Sequence, residues 1–91
     1  MTEKEQLAGL NMLQEWYNET REYSDHRTAH NIVVTVPKGK KPEKYLHFDF
    51  ICAMAMAAIY DLADVKITPM PEETVFRIYM TPKGAKVFGR L

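Results

Sequence analysis

Polar and apolar positions follow two different periods along this chain, and the switches between them mark its elements. Leu7, Leu10, Leu13, Trp16, Tyr17, Thr20 and Tyr23 recur at steps of three and four, while Glu5, Gln14, Glu15, Glu19 and Glu22 take other faces. That spacing puts the apolar side chains on one stripe of a helix. Thr2 and Glu5 stand at capping-box spacing, where a hydroxyl accepts an early N–H and a carboxylate reaches back. A first helix is therefore predicted from Thr2 to about residues 21–23.

The polar run 24–31 reads as a loop or one short helical turn, after which Asn31 to Val36 turns β-branched and stops at Pro37. This predicts a strand, and its unbroken apolar character suggests burial on both faces. Residues 38–44, KGKKPEK, form a basic, turn-rich loop. Pro42 suits the first turn of a second helix, expected from about Glu43 or Tyr45 to Leu62. Val65–Ile67 and Val75–Met80 read as two antiparallel strands joined across residues 68–74. In the second, Phe76, Ile78 and Met80 alternate with Val75, Arg77 and Tyr79, which gives one core face and one partly wet face. Pro69 and Pro71 make the first of the two short or place it at an edge. Thr81 and Pro82 are an N-cap and first-turn pair that opens a short last helix through Lys86, Val87 and Phe88. The order is α-β-α-β-β-α, and an α+β fold follows: one small three-stranded antiparallel sheet covered by helices.

The second helix stands apart. Phe50–Tyr60, FICAMAMAAIY, has no charge, amide or hydroxyl before its terminal tyrosine, so it is apolar all round. Such a helix is buried on every side or shared with a neighbour. It is too short to cross a bilayer, which takes about twenty apolar residues. Met54 and Met56 point to opposite sides, and Ala53 and Ala57 offer a smooth strip for the close approach of another helix. Ala53, Met54, Met56 and Ala57 are therefore the candidate oligomer interface.

At 91 residues the chain makes one domain with one core. One cysteine, Cys52, cannot form an internal disulfide and reads as a small buried hydrophobe, so a reducing, cytoplasmic location is expected. The acidic and amide-rich start, MTEKEQLAGL, lacks the basic-then-apolar order of an export signal. Net charge is zero, which argues against strong nonspecific attraction to nucleic acid. Even so, residues 1–25, 26–48, 49–76 and 77–91 carry −4, +4, −4 and +4 in turn, a pattern able to encode self-association.

The last third, VKITPMPEETVFRIYMTPKGAKVFGRL, resembles the end of winged-helix transcriptional regulators of the MarR and PadR type through Tyr79, Thr81, Pro82, Lys83, Gly84 and Phe88. The resemblance covers residues 65–91 and implies a β-hairpin wing followed by a helix that often contributes to dimerisation. It also implies a recognition helix just before the wing. In this chain that place holds FICAMAMAAIYDLAD, whose charges, Asp61 and Asp64, have the wrong sign for phosphate. Base reading needs Arg, Lys, Asn, Gln or Ser on an exposed helix face. A winged-helix-like fold here would have been turned to protein contact.

Candidate chemistry is sparse. His26 and His30 are four apart with Asp25 adjacent, and His47 with Asp49 is a distant second pair, but the first segment is not a convincing helix and polar loop is the better reading, so no metal site is assigned. Ser24 is the lone serine, Cys52 has no base beside it, and Glu72 and Glu73 lie in a wet turn. No catalytic residue and no cofactor is assigned. Lys38, Lys40, Lys41 and Lys44, which Arg77 would extend if it lies nearby, are the candidate partner-binding cluster, suited to an acidic protein surface, RNA or a phosphate. The expected function is a non-enzymatic adaptor or inhibitor acting by protein contact as a homo-oligomer, of the kind small phage or plasmid proteins supply. The alternatives are a winged-helix-derived DNA-binding regulator and a nucleotide or small-molecule binder at a subunit interface.

Overall fold

A computed structural model describes residues 1–22, 32–42 and 47–89. Helix α1 (Glu3–Glu22) is followed by strand β1 (Ile32–Pro37), helix α2 (His47–Tyr60), strands β2 (Ala63–Pro69) and β3 (Glu73–Met80), and helix α3 (Pro82–Gly89). The α-β-α-β-β-α order and the antiparallel three-stranded sheet are those read from the sequence.

Helix α1 starts as its capping box requires. The Thr2 amide donates to Glu5 Oε1 at 2.9 Å and the Glu5 amide donates to Thr2 Oγ1 at 3.2 Å, so two end groups that lack helical partners satisfy each other. The Thr2 amide, then the Thr2 hydroxyl, hold the Glu5 carboxyl below its ordinary pKa. Helix α2 ends two residues before the expected Leu62, and the reason is local. Asp61 adopts a left-handed φ of 54° and the Leu62 amide donates back to Ala57 O at 3.2 Å, which is the Schellman closure. The expected start of α2, at residues 43–46, lies outside the described residues, as do Tyr23 and the His26–His30 pair.

The strands run in the order β1-β3-β2, with β3 in the middle. Ile32 faces Ile78 and Val34 faces Phe76 across β1–β3, while Val65 faces Ile78 and Ile67 faces Phe76 across β2–β3. The side chains of Ile32, Val34, Phe76 and Ile78 thus share the face that meets the helices. Burial of β1 on both faces does not occur: Ile32 and Val34 are buried, whereas Val33 and Thr35 are exposed. Its β-branched run reflects fit to a pleated strand, and no described helix covers the second face. As the prolines implied, β2 is an edge strand; it ends at Pro69, and the Met70 amide donates to Glu73 O at 2.8 Å to turn the chain into β3.

Leu13 and Trp16 of α1, Ala53 and Ala57 of α2, Ile78 of β3 and Phe88 of α3 form the centre of the core. Phe50 joins helices to sheet, with its ring edge-to-face against Trp16 at 6.2 Å and against Phe76 at 5.2 Å. Each such buried apolar side chain contributes about 1.5–3 kcal/mol through loss of wet surface. Gly9 sets how near α1 comes. A Cβ there would stand 2.6 Å from Cys52 O and 2.7 Å from Met56 Cγ, so α1 rests on the backbone of α2.

That contact corrects the expected interface. Ala53, Met56 and Ala57 are 0%, 4% and 1% exposed, because the smooth strip on α2 receives the chain's own α1 and core. Met54 alone of the four stays half-buried at the edge of the core.

The sheet and α3 meet at Thr81. Its hydroxyl accepts from the Gly84 amide at 3.0 Å and donates to Asp61 O at 2.7 Å, and its own amide donates to Leu62 O at 3.3 Å. One side chain therefore caps α3 and ties it to the end of α2. Gly84 is pressed onto the Leu62 peptide, where no side chain fits. The Thr-x-x-Gly pattern of residues 81–84 has this physical basis.

Candidate functional site

With one side of α2 used by α1, the opposite side remains to be accounted for. It borders the edge strand β2, and between them lies an open groove of about 530 Å³. Phe50, Ala57 and Ala63 form its buried floor, and Met54, Val65 and Phe76 are half-buried along it. Ile51 and Ile67 form its lips and are 50% and 59% exposed. Ala58 is also exposed, and the polar members of the lining are Asp61 and Asp64. The groove therefore offers mainly apolar area, for Asp64 alternates with Val65 on β2 and belongs to the other face of the sheet. It offers an apolar partner far more than a phosphate.

The site follows from the local sequence. Ile51, Met54 and Ala58 stand three and four residues apart, which brings them to one side of α2. Val65 and Ile67 alternate on β2 and face the helix layer. Among the described residues β2 pairs only with β3, so its other edge presents backbone N–H and C=O groups beside these lips that no described strand takes up. Phe48, Ile59 and Tyr60 of α2 are exposed as well, with Lys4 Nζ 5.8 Å from the centre of the Phe48 ring.

The basic cluster takes a different form from the one its sequence suggested. Lys38, Lys40 and Lys41 are exposed on a tight turn, where Gly39 has φ 75° and the Lys40 amide donates to Pro37 O at 3.0 Å. Lys44 lies outside the described residues. The Lys38 amide donates to Glu72 O at 2.9 Å and Pro37 faces Glu73, so two acidic residues flank the turn. Arg77 does not join it: four residues along β3 from Glu73, or about 13 Å at the rise of a strand, it faces Val33 on one side and Lys66 on the other.

His47 is exposed and Asp49 half-buried in the first turn of α2. Among the described residues no group of three or more His, Cys, Asp or Glu is placed to hold a metal, and no helix is long and apolar enough to cross a membrane. Cys52 is buried, and burial, then the charges of Glu5 and Asp49, push its thiol pKa up.

Ile51, Ala58, Val65 and Ile67 were not among the residues singled out in the sequence. The available signal was Gly9, a glycine inside a helical pattern that commonly marks close packing. It would have pointed to a close approach of α1 to α2 and left the 51–54–58 side for other use. No family model, curated protein or solved structure matches the chain.

Proposed function

We propose that this protein is a non-enzymatic binding protein, an adaptor or inhibitor that works by protein–protein contact and self-associates through the α2–β2 groove. The observation that carries the reading is the exposure of Ile51 and Ile67 on the two lips of one apolar groove beside a strand edge that no described strand takes up. Covering one such side chain contributes about 1.5–3 kcal/mol, a large fraction of the roughly 5–15 kcal/mol that holds a domain together. Light scattering after size exclusion tests it. The expected mass at micromolar concentration is a multiple of 10.6 kDa, reduced to the single chain by Ile67→Glu. A strict monomer in the unaltered protein contradicts self-association.

A second reading, a winged-helix-derived DNA-binding regulator, draws on the β2–β3 hairpin leading into the Thr81-capped helix and on the exposed Lys38, Lys40 and Lys41. Two observations weigh against it. Residues 38–46 alone separate β1 from α2, too short a stretch for the first helix of a helix-turn-helix. The open side of α2 is apolar where a reading helix needs donors and acceptors. Duplex binding that weakens with salt and is lost on changing Lys38, Lys40 and Lys41 to glutamate supports this second reading.

The groove also has the size of a small-molecule site. A ligand held there between subunits would be mainly apolar, and a thermal-shift panel containing nucleotides and apolar compounds separates the two.

A further inference from the structure

We infer that the partner at the groove is a second copy of this chain, docked edge to edge through β2 in an antiparallel register centred on Val65. This inference rests on the contact reading above and adds the occupant and its register.

The edge of β2 carries Asp64, Val65, Lys66 and Ile67 in succession. Asp64 and Lys66 are exposed on the outer face of the sheet, while Val65 and Ile67 face the helices. Two identical edges related by a twofold axis perpendicular to the sheet pair antiparallel and keep both helix layers on the same side. With the axis at Val65, Asp64 of each copy stands opposite Lys66 of the other. Ile67 then stands opposite Ala63, and Val65 opposite itself. An axis at Asp64 would oppose two aspartates, and one at Lys66 would oppose two lysines. Only the Val65 register, of these three, makes two opposite-charge pairs, and like charges facing across strands are destabilising.

The single chain also contains an electrostatic fault that this pairing mends. Lys66 faces Arg77 directly across β2–β3, a like-charge pair with Asp64 only diagonal to it. A carboxylate from a second copy on the open side of Lys66 compensates. An edge lysine ordinarily keeps strands from pairing. Here the aspartate two residues before it makes the edge complementary to itself. The same rotation brings each groove, with Ile51 and Ala58 on one lip and Ile67 on the other, towards its copy.

Charge reversal tests the register in the full chain, with circular dichroism to confirm that each variant is folded. Asp64→Lys alone and Lys66→Asp alone each convert both pairs to repulsion. Each is expected to raise the dimer dissociation constant at least tenfold at low ionic strength, less so as salt screens the charges. The double variant D64K/K66D restores opposite pairs, and an equimolar mixture of the two single variants forms the mixed dimer in preference to either homodimer. Dimerisation unaffected by both reversals, or weakened without rescue in the double variant and the mixture, overturns the register. If Ile67→Glu still dissociates that dimer, the groove reading survives. A wild-type chain that stays monomeric overturns both.

Discussion

Replacing Gly84 with alanine is the sharpest test of how α3 is seated. In an exposed helix this change is favourable, since glycine is about 1 kcal/mol worse than alanine there. At Gly84 the sign reverses. The added Cβ would lie 2.9 Å from Leu62 C and 3.3 Å from Leu62 Cα, and would collide outright with Leu62 O. The obstacle is backbone at the Schellman end of α2, so no side-chain rotation relieves it. Overpacking of this kind costs about 1–3 kcal/mol. If α3 lifts instead, the Thr81 amide to Leu62 O and Thr81 hydroxyl to Asp61 O bonds weaken together, at about 0.5–1.5 kcal/mol each. By either route the expected loss is about 1–3 kcal/mol. Urea unfolding followed by the fluorescence of Trp16, which is fully buried, reads it as a lower midpoint at unchanged slope. Lys83→Ala, an exposed neighbour on the same helix, serves as the control and should fall within about 0.5 kcal/mol of the parent. A G84A chain as stable as the parent, or more so, refutes the docking of α3 on Leu62.

Four further outcomes are expected. Gly9→Ala should destabilise by about 1–3 kcal/mol in the same urea assay despite its better helix propensity, because its methyl would meet Cys52 O and Met56 Cγ; a gain in stability contradicts the α1–α2 contact. Cys52 should react slowly with a thiol reagent in native buffer and rapidly in denaturant, because burial disfavours its thiolate. Its raised pKa means the folded chain holds the thiol proton more tightly, so this contribution is intact below the ordinary thiol range and is lost as pH rises through the folded value. Urea midpoints at rising alkaline pH should therefore fall more steeply in the parent than in Cys52→Ala. Ile51→Glu should abolish self-association while leaving the circular dichroism spectrum intact, since Ile51 is half exposed in the single chain; unchanged association removes α2 from the contact.

Features decided by a few neighbouring residues were legible in the sequence. Thr2 with Glu5, Thr81 with Pro82, and the alternation through Phe76, Ile78 and Met80 each specify a local geometry, and each appears as read. The orientation of α2 was not legible, because a helix with apolar residues on all sides carries no pattern to say which side is covered. Ala53 and Ala57 looked suited to another chain, yet both are buried in the chain's own core, and Gly9 brings α1 onto α2 at Cys52 and Met56. Likewise the β-branched run of β1 meets strand preference whether one face or two are covered, and the exposure of Val33 follows from where the helices lie. The charges of Lys38–Lys41 were counted correctly as a cluster, but the register that brings Glu72 and Glu73 beside them, and Arg77 away, depends on long-range pairing.

Amide hydrogen exchange as a function of protein concentration tests the central claim, that the α2–β2 groove and its strand edge are the contact surface. Raising the concentration should slow exchange at the outward-facing amides of residues 63–67 and in the 51–58 stretch of α2, with the basic turn at 38–41 unchanged. Concentration-dependent protection confined to that turn or to α3, with the edge of β2 exchanging freely throughout, would contradict it.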